Sequence, residues 1–203
     1  HYPTQVARDN LKELIHTDDP RIGLAPWDRS PHGFLHKEAF TLMPNLEMIV
    51  LSGNRIATIP DEMWGLSKLK HLDLRDNSIS SISPNIQNLT DLEFLNLDDN
   101  RIKTLPPEIG NLSNLKTLHL NANLLKTLPP EIGNLSNLNY LNLEHSYFLI
   151  SLPSEIGNLS NLKKLNLSST DNLEEIPPTI MNLDLDSFQL GRAPGWRGDP
   201  GWR

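Results

Sequence analysis

An eleven-residue segment recurs along the chain. Leu-Pro-Pro-Glu-Ile-Gly-Asn-Leu-Ser-Asn-Leu occurs at 105–115 and at 128–138, and residues 152–162 repeat it with one change. The first two copies lie 23 residues apart. Sequence periods of about 20 to 50 residues are typical of solenoids, in which equivalent units stack in a row. The chain is therefore predicted to fold as a stack of similar units.

The full repeating unit reads L-x-x-L-x-L-x-x-N-x-I-x-x-L-P. Six units begin at Leu46, Leu69, Leu92, Leu115, Leu138 and Leu162, and Leu185 begins a seventh that has only the strand part. Successive units are 23 residues apart except for one step of 24. The L-x-x-L-x-L segment predicts a short strand with inward-pointing leucines. One unit cannot bury its own apolar edge, whereas stacked units can.

An asparagine occupies the ninth position of the first four units. These ladder asparagines are Asn54, Asn77, Asn100 and Asn123. A side-chain amide at this turn can pair with backbone groups that stacking would otherwise bury without partners, so their role is predicted to be structural. The fifth and sixth units carry Ser146 and Thr170 instead, with one extra residue before the next Leu-Pro or Ile-Pro pair. We expect a wider turn there.

The Leu-Pro-Pro-Glu-Ile-Gly segment predicts a short helical turn on the opposite, convex side. Proline favours the first helical position, and Glu108 or Glu131 would lie near the positive end of the turn. We expect Gly110 or Gly133 where the chain reverses.

Three regions follow from the repeat. Residues 46–190 are the predicted solenoid, and 1–45 do not fit the repeat. We predict that 1–45 form an N-terminal cap over the first unit, with a short helix from Thr4 to about Ile15, although a partner-binding arm is the alternative. Residues 191–203 are predicted to form a loose C-terminal tail. Its Arg197-Gly198-Asp199 matches the integrin-binding tripeptide, but a tripeptide in a tail is a weak signal.

Composition excludes several classes of function. The net charge of -7 argues against binding nucleic acid, which needs a basic surface. With no cysteine the chain has no disulfide and no thiolate metal site, and no apolar run is long enough to span a membrane. We predict a cytoplasmic monomer, with a secreted bacterial effector or an extracellular protein as alternatives. Five glycosylation sequons are present, at Asn88, Asn111, Asn134, Asn158 and Asn166.

The variable positions of the predicted strands would form a binding surface. Alternation points them away from the core, and equivalent positions in neighbouring units would stack about 4.8 Å apart, on the order of 30 Å over seven strands. The predicted partner-binding residues are His71, Asp73, Arg75, Phe94, Asn96, Asp98, His119, Tyr140 and Glu144. Phe94 and Tyr140 are candidate interface anchors because aromatic residues dominate binding hot spots. The alternative is that they only pack on neighbours in the same sheet.

Charge divides this surface. Carboxylates gather in the second and third units, at Asp73, Asp76, Glu93, Asp98 and Asp99, whereas Lys163 and Lys164 make the far end basic. A partner with a basic patch would be steered to the acidic end. A solvated face with no specific role is the alternative.

No catalytic or metal-binding motif is present. The histidines and aspartates lack a local spacing such as His-x-x-x-His or an EF-hand loop, and no Gly-rich phosphate loop or nucleophile elbow occurs. The chain is predicted to have no enzymatic activity, no metal and no cofactor.

These residues resemble the leucine-rich-repeat superfamily across about 46–190. The Leu-Pro-x-x-Ile-x-x-Leu half of the unit looks like the Ras-suppressor type with its 23-residue repeat. Ser146 and Thr170 with the inserted residue also resemble repeats of plant intracellular immune receptors. The resemblance implies an α/β fold, a right-handed horseshoe solenoid with a concave parallel β-sheet and short helical or 3-10 turns on its convex side.

The same resemblance implies a recognition surface rather than a catalyst. We predict a protein–protein interaction module that binds a protein partner on its concave face, as a scaffold or effector. One alternative is the targeting fragment of a larger enzyme, such as a ligase or kinase. Another is a secreted receptor ectodomain.

Overall fold

The sheet follows the order of the sequence. The computed structural model describes residues 13–15, 40–41 and 43–191. They form one parallel sheet of eight strands, each paired with the next along the chain. The strands are β1 (Glu13–Ile15), β2 (Met48–Val50), β3 (His71–Asp73), β4 (Phe94–Asn96), β5 (Thr117–His119), β6 (Tyr140–Asn142), β7 (Lys164–Leu167) and β8 (Ser187–Leu190).

A 3-10 helix lies between each pair of successive strands from β2 to β8. These helices are η1 (Asp61–Gly65), η2 (Pro84–Asn88), η3 (Pro107–Asn111), η4 (Pro130–Asn134), η5 (Ser154–Asn158) and η6 (Pro178–Asn182). Four of the six carry proline at their first positions, where a backbone N–H would have no partner in any case. The predicted solenoid, with a concave parallel sheet and convex 3-10 turns, is confirmed.

The core is a continuous column of aliphatic side chains between sheet and helices. In one unit Leu92, Leu95 and Leu97 are each no more than 1% exposed, and Ile109 of η3 is fully buried behind them. Burial of one such side chain contributes roughly 1.5–3 kcal/mol. Each strand has only three or four residues. The packing of these aliphatic side chains against those of neighbouring units therefore holds the sheet in register.

The ladder asparagines join consecutive units. The Asn77 side-chain amide donates to the carbonyls of Leu51 and Leu74, each at 2.9 Å, and its Oδ1 accepts from the Ile56 N–H at 2.8 Å. Asn100 and Asn123 make the same kind of contacts one and two units later.

The first and the last positions of the ladder differ. Asn54 is only half-buried, and its amide donates to the nearby Ser52 carbonyl at 2.9 Å. Ser146 and Thr170 remain buried, and the Thr170 hydroxyl donates to the Leu167 carbonyl at 2.8 Å. The inserted residue of the fifth unit is taken up by an additional turn, in which the Leu149 N–H donates to the Ser146 carbonyl at 3.0 Å.

The helix expected up to Ile15 is wrong at its C-terminal end. Residues Glu13–Ile15 form strand β1, which pairs in parallel with β2. An uncovered β2 would present a row of unpaired backbone groups, and an added strand satisfies them where a helix could not. The rest of the expected helix and the tail residues 197–199 lie outside the described residues.

The expected role of the repeated glycines in chain reversal is also wrong. Gly110 lies inside η3 and Gly133 inside η4, and neither has a positive φ. A Cβ on Gly110 would overlap the main-chain carbonyl of Glu131 in the following unit. The glycine is needed so that neighbouring 3-10 helices can approach each other closely.

The chain turns off the sheet at the eighth position of each unit instead. All six residues there adopt left-handed backbone conformations, with φ between 51° and 73°, and they are Gly53, Asp76, Asp99, Ala122, His145 and Ser169. Only the first is glycine, so the sequence signal for this turn was weak.

Candidate binding surface on the concave face

Two columns of side chains run across the exposed face of the sheet. In the first, His71 pairs with Phe94, Phe94 with Thr117, and Thr117 with Tyr140. The second column contains Asp73, Asn96, His119 and Asn142 in the same register. The spacing of the repeat predicted both columns.

Four aromatic rings form a continuous row across β3 to β6, which we call the ring row (His71, Phe94, His119, Tyr140). His71 and Phe94 stack at 4.1 Å between centroids with an interplanar angle of 1°. Phe94 lies 5.5 Å from His119, which meets the edge of Tyr140 at 5.1 Å. All four side chains remain partly exposed. Phe94 and Tyr140 therefore pack on their neighbours and are still accessible to a partner.

A carboxylate is fixed beside the ring row. Asp98 Oδ2 lies 3.5 Å from His119 Nδ1, and Asp98 Oδ1 accepts from the Asn121 N–H at 2.6 Å. The Asp98 side chain is only 14% exposed, so these contacts restrict its position. Asp73 is held similarly at the end of the neighbouring strand β3, where its Oδ1 accepts from the Arg75 N–H at 3.0 Å.

Burial shifts the pKa values of two members of the ring row. It lowers the pKa of His71, against a smaller opposing effect of Asp73. His71 is therefore neutral at neutral pH and stacks on Phe94 as an uncharged ring. Burial also raises the pKa of Tyr140, with smaller contributions from Asp98 and Glu144, so its phenol stays protonated and able to donate a hydrogen bond.

An acidic hollow lies beside one end of the ring row. Its volume is about 480 Å³, and it is lined by Ser52, Gly53, Arg75, Asp76 and Asp99. Burial raises the pKa of Asp99, and the like charges of Asp98 and Asp76 raise it further. A cationic group placed here would relieve that repulsion.

A second hollow lies at the basic end. It has a volume of about 540 Å³ and is lined by Thr117, Asn139, Tyr140, Lys164, Leu165, Asn166, Ser187 and Gln189. Tyr140 thus connects the ring row to this hollow. The sequence indicated Lys164 but not Asn166, because nothing in the sequence distinguishes Asn166 from other polar residues of the strands.

Of the nine predicted binding residues, the ring row and Asp98 form one connected group of partly exposed side chains. Asn96 is only 6% exposed, and its Oδ1 accepts from the Asp98 N–H at 2.9 Å, so it shapes the turn instead of offering a free side chain. Arg75 lies at the margin beside Asp73. Glu144 is half-buried and accepts from Asn166 at 3.1 Å.

Two features are missing from the part of the chain that the structure describes. It contains no group of three or more His, Cys, Asp or Glu residues placed to hold a metal ion. It also contains no helix that is long and apolar enough to cross a membrane.

Sequence families match most of this repeated region. Families described as leucine-rich repeats match residues 29–79, 44–102, 80–148 and 161–183. The chain belongs to the leucine-rich-repeat family. The Ras-suppressor subtype remains a prediction, because these matches do not distinguish among repeat types.

Solved leucine-rich-repeat structures share this fold. A leucine-rich-repeat protein of Leptospira interrogans is 31% identical with a TM-score of 0.61, over 80% of this chain and 47% of that one. The ectodomain of a plant membrane receptor kinase from Arabidopsis thaliana is 32% identical with a TM-score of 0.66, over 77% of this chain and 20% of that one. The Arabidopsis receptor kinase HAESA, solved with a peptide hormone and a co-receptor, is 26% identical with a TM-score of 0.63.

HAESA matches over 76% of this chain and 27% of its own. The leucine-rich-repeat chain thus spans less than half the length of all three of these structures. Among curated proteins, none matches its sequence.

Proposed function

We propose that this leucine-rich-repeat solenoid is an interaction module that binds a protein partner on its concave face. The observation that carries the proposal is the ring row, four partly exposed rings in contact across four neighbouring strands. Aromatic side chains fixed by their neighbours lose little conformational freedom on binding, which is why they recur as interface anchors. The peptide-hormone complex of HAESA, which shares the fold, gives further support.

Charge indicates the kind of partner. Around the ring row lie five carboxylates, those of Asp73, Asp76, Asp98, Asp99 and Glu144, with Arg75 at one end and Lys164, the cross-strand partner of Tyr140, at the other. A protein segment that presents an apolar side chain to Phe94 and a lysine or arginine to the acidic hollow would be complementary. Such charge pairing mainly raises the association rate and selects among partners. Binding of this segment should therefore weaken as salt is added.

The test is affinity capture from a lysate of the source cell. The wild-type chain is compared with Phe94→Ala/Tyr140→Ala/Asp98→Ala, which removes two rings and the carboxylate between them. A matched control, Asn85→Ala/Asn134→Ala/Asn158→Ala, changes three exposed side chains of the convex 3-10 helices. Circular dichroism must show that both variants are folded.

A protein retained by the wild type and by the convex control, but lost by the concave variant, is the expected result. Each hot-spot residue typically accounts for at least about 2 kcal/mol, so the triple variant should lose the partner completely. Retention of the same proteins by all three chains would contradict the proposal and place binding elsewhere on the molecule.

A second candidate is that the solenoid is the recognition part of a longer protein, such as a ligase or kinase. The observation that favours it is coverage, because the chain spans 47% of the Leptospira interrogans protein and 20% of the receptor-kinase ectodomain. An antibody against the repeats, used on source-cell extract, distinguishes the two. A band near 22.9 kDa favours an independent module, and a larger band favours the longer protein.

The cytoplasmic location remains a proposal as well. Of the five sequon asparagines, Asn166 is only 8% exposed, which excludes it as a glycan acceptor in the folded chain. Asn111 and Asn134 are exposed on η3 and η4. Glycans on these two after passage through a eukaryotic secretory pathway would show that the surface tolerates them, and glycans on the native protein would establish an extracellular location.

A further inference from the structure

Apolar side chains are concentrated on one turn of the surface, away from the ring row. Within the described residues, four large hydrophobic side chains are highly exposed, and three of them share the turn after β6. These are Tyr147 at 48%, Phe148 at 52% and Ile150 at 40%, which we call the turn patch. The fourth, Met181, lies apart in η6. Contiguous exposed apolar groups are typical of contact sites.

The extra residue of the fifth unit leaves Phe148 at an exposed position, and the sixth unit exposes the polar Asn172 at the equivalent place. Leu149 is fully buried and supplies the apolar side chain that the core needs at this turn. Phe148 is therefore surplus to the core and points outward. Tyr147 is held in place, since its hydroxyl lies 3.0 Å from His145 Nδ1 and its carbonyl accepts from the Asn172 amide. These contacts fix Tyr147 at the edge of the patch.

Opposite charges flank the turn patch on its two sides. Lys126, Ile150 and Glu174 occupy equivalent positions in three successive units. Their backbones are in contact, because Ile150 N–H donates to the Lys126 carbonyl at 2.9 Å and Glu174 N–H donates to the Ile150 carbonyl at 3.0 Å. Lys103 extends the basic side by one unit, and Glu175 adds to the acidic side.

The two flanking charges are available to a partner. Lys126 and Glu174 are both exposed, and within the described residues neither takes part in an ion pair. Each is displaced from Ile150 by one unit, about 4.8 Å, in opposite directions. Across three successive units the surface is therefore basic, then apolar, then acidic, with the apolar part at its centre.

We propose that the turn patch is the contact surface between two copies of this chain. A two-fold axis through Ile150, perpendicular to the row, would bring the two patches face to face in antiparallel orientation. Ile150 and Phe148 would then meet their equivalents, and each Lys126 would face Glu174 of the second copy. Self-complementarity of this kind is what a two-fold interface requires, whereas a different protein would have no need of it.

This dimer differs from the monomer expected from the sequence. The repeat pattern places Phe148 at the core position that Ile102 and Leu125 occupy in earlier units, whereas in the structure Leu149 fills the core and Phe148 is exposed. The ring row lies in strands β3 to β6 and contributes no residue to the turn patch, so the dimer does not depend on the proposed concave-face function.

Sedimentation velocity over a range of protein concentrations tests the proposal. The wild type should show a reversible monomer–dimer equilibrium. Phe148→Ser/Ile150→Ser should weaken it by at least about tenfold in Kd, which corresponds to 1.4 kcal/mol. The matched control Met181→Ser also removes an exposed apolar side chain and should leave the equilibrium unchanged. Circular dichroism and thermal melting of each variant report whether it is folded.

A charge exchange identifies the orientation of the two copies. Lys126→Glu places like charges opposite each other twice and should weaken the dimer. Lys126→Glu/Glu174→Lys restores opposite charges with exchanged positions and should recover it. Both positions are surface charges, so these variants are informative even if the serine variant fails to fold.

Three results would overturn the proposal. One is a wild type that stays monomeric at every accessible concentration. This result overturns the proposal even if the turn patch binds a different protein. Another is a dimer that Phe148→Ser/Ile150→Ser leaves intact. The third is a failure of the double charge variant to recover what Lys126→Glu lost.

Discussion

The side-chain amide of Asn100 donates to the Leu74 carbonyl of the preceding unit at 3.0 Å. It also donates to the Leu97 carbonyl at 3.1 Å, and its Oδ1 accepts from the Ile79 N–H at 2.9 Å. Asn100 is only 6% exposed, so water cannot replace these hydrogen bonds. One side chain therefore satisfies buried backbone groups that belong to two different units.

Replacement of Asn100 should be costly for that reason. Asn100→Ala leaves buried donors and acceptors unpaired and is expected to lower the free energy of unfolding by about 1–3 kcal/mol. Urea denaturation measures the change. Asn114→Ala is the matched control, because Asn114 also bonds across units, to the Thr90 carbonyl at 2.8 Å, but at an exposed position. Equal losses of unfolding free energy in the two variants would show that burial does not increase the contribution of the ladder asparagine to stability.

The ladder and the two concave columns could be predicted because both follow directly from the period of the sequence. Strand β1 could not, since Glu13–Ile15 carry no repeat and are recruited by the open edge of β2. The contacts within the ring row could not be predicted from the sequence either. Spacing put Phe94 and His119 in different columns, and only side-chain packing brings their rings to 5.5 Å.

The close packing of the 3-10 helices predicts that two glycines, each within a 3-10 helix, respond differently to alanine. A Cβ on Gly133 of η4 would meet the Glu155 backbone carbonyl and lie 2.8 Å from the Glu155 Cβ, whereas one on Gly65 of η1 would meet nothing within 4 Å. Gly133→Ala should lower the free energy of unfolding by about 1–3 kcal/mol through overpacking.

Gly65→Ala should be neutral or stabilising, because it restricts the unfolded chain without a clash. Thermal melts of the two variants provide the measurement. If Gly133→Ala melts no lower than Gly65→Ala, the helices have room to separate and the close-approach explanation is incorrect.

The left-handed turn at the eighth position predicts a stabilising substitution. Ala122 has a φ of 51°, a conformation that costs a residue with a Cβ roughly 1–2 kcal/mol. Ala122→Gly removes that cost, and after the greater entropy of glycine in the unfolded chain a gain of up to about 1 kcal/mol should remain. Differential scanning calorimetry should show a higher Tm.

Ala57→Gly serves as its control. Ala57 is exposed and lies outside the left-handed region, so glycine there should destabilise by about 0.5–1 kcal/mol. Changes of the same sign in both variants would indicate a general effect of glycine and not relief at the turn.

The acidic hollow predicts a pH-dependent gain in stability for Asp99→Asn. Burial raises the pKa of Asp99 in the folded chain, and Asp98 and Asp76 raise it further, so its ionised form is less favourable there than in the unfolded chain. The stability that this group contributes is therefore present below its unfolded pKa and is lost as pH rises through the folded pKa. Asparagine is uncharged throughout and tolerates the left-handed φ of 53°.

Thermal melts of the wild type and Asp99→Asn, compared at each pH, isolate this contribution from every other titrating group. At about pH 7 the variant should melt at the higher temperature, and the difference should shrink as acid neutralises Asp99 and disappear below the ordinary aspartate pKa. A gain that persists unchanged at acid pH would mean that asparagine acts through the backbone alone. A variant less stable than the wild type at neutral pH would show that Asp99 makes a favourable interaction in the hollow that outweighs the unfavourable effects of burial and like charge.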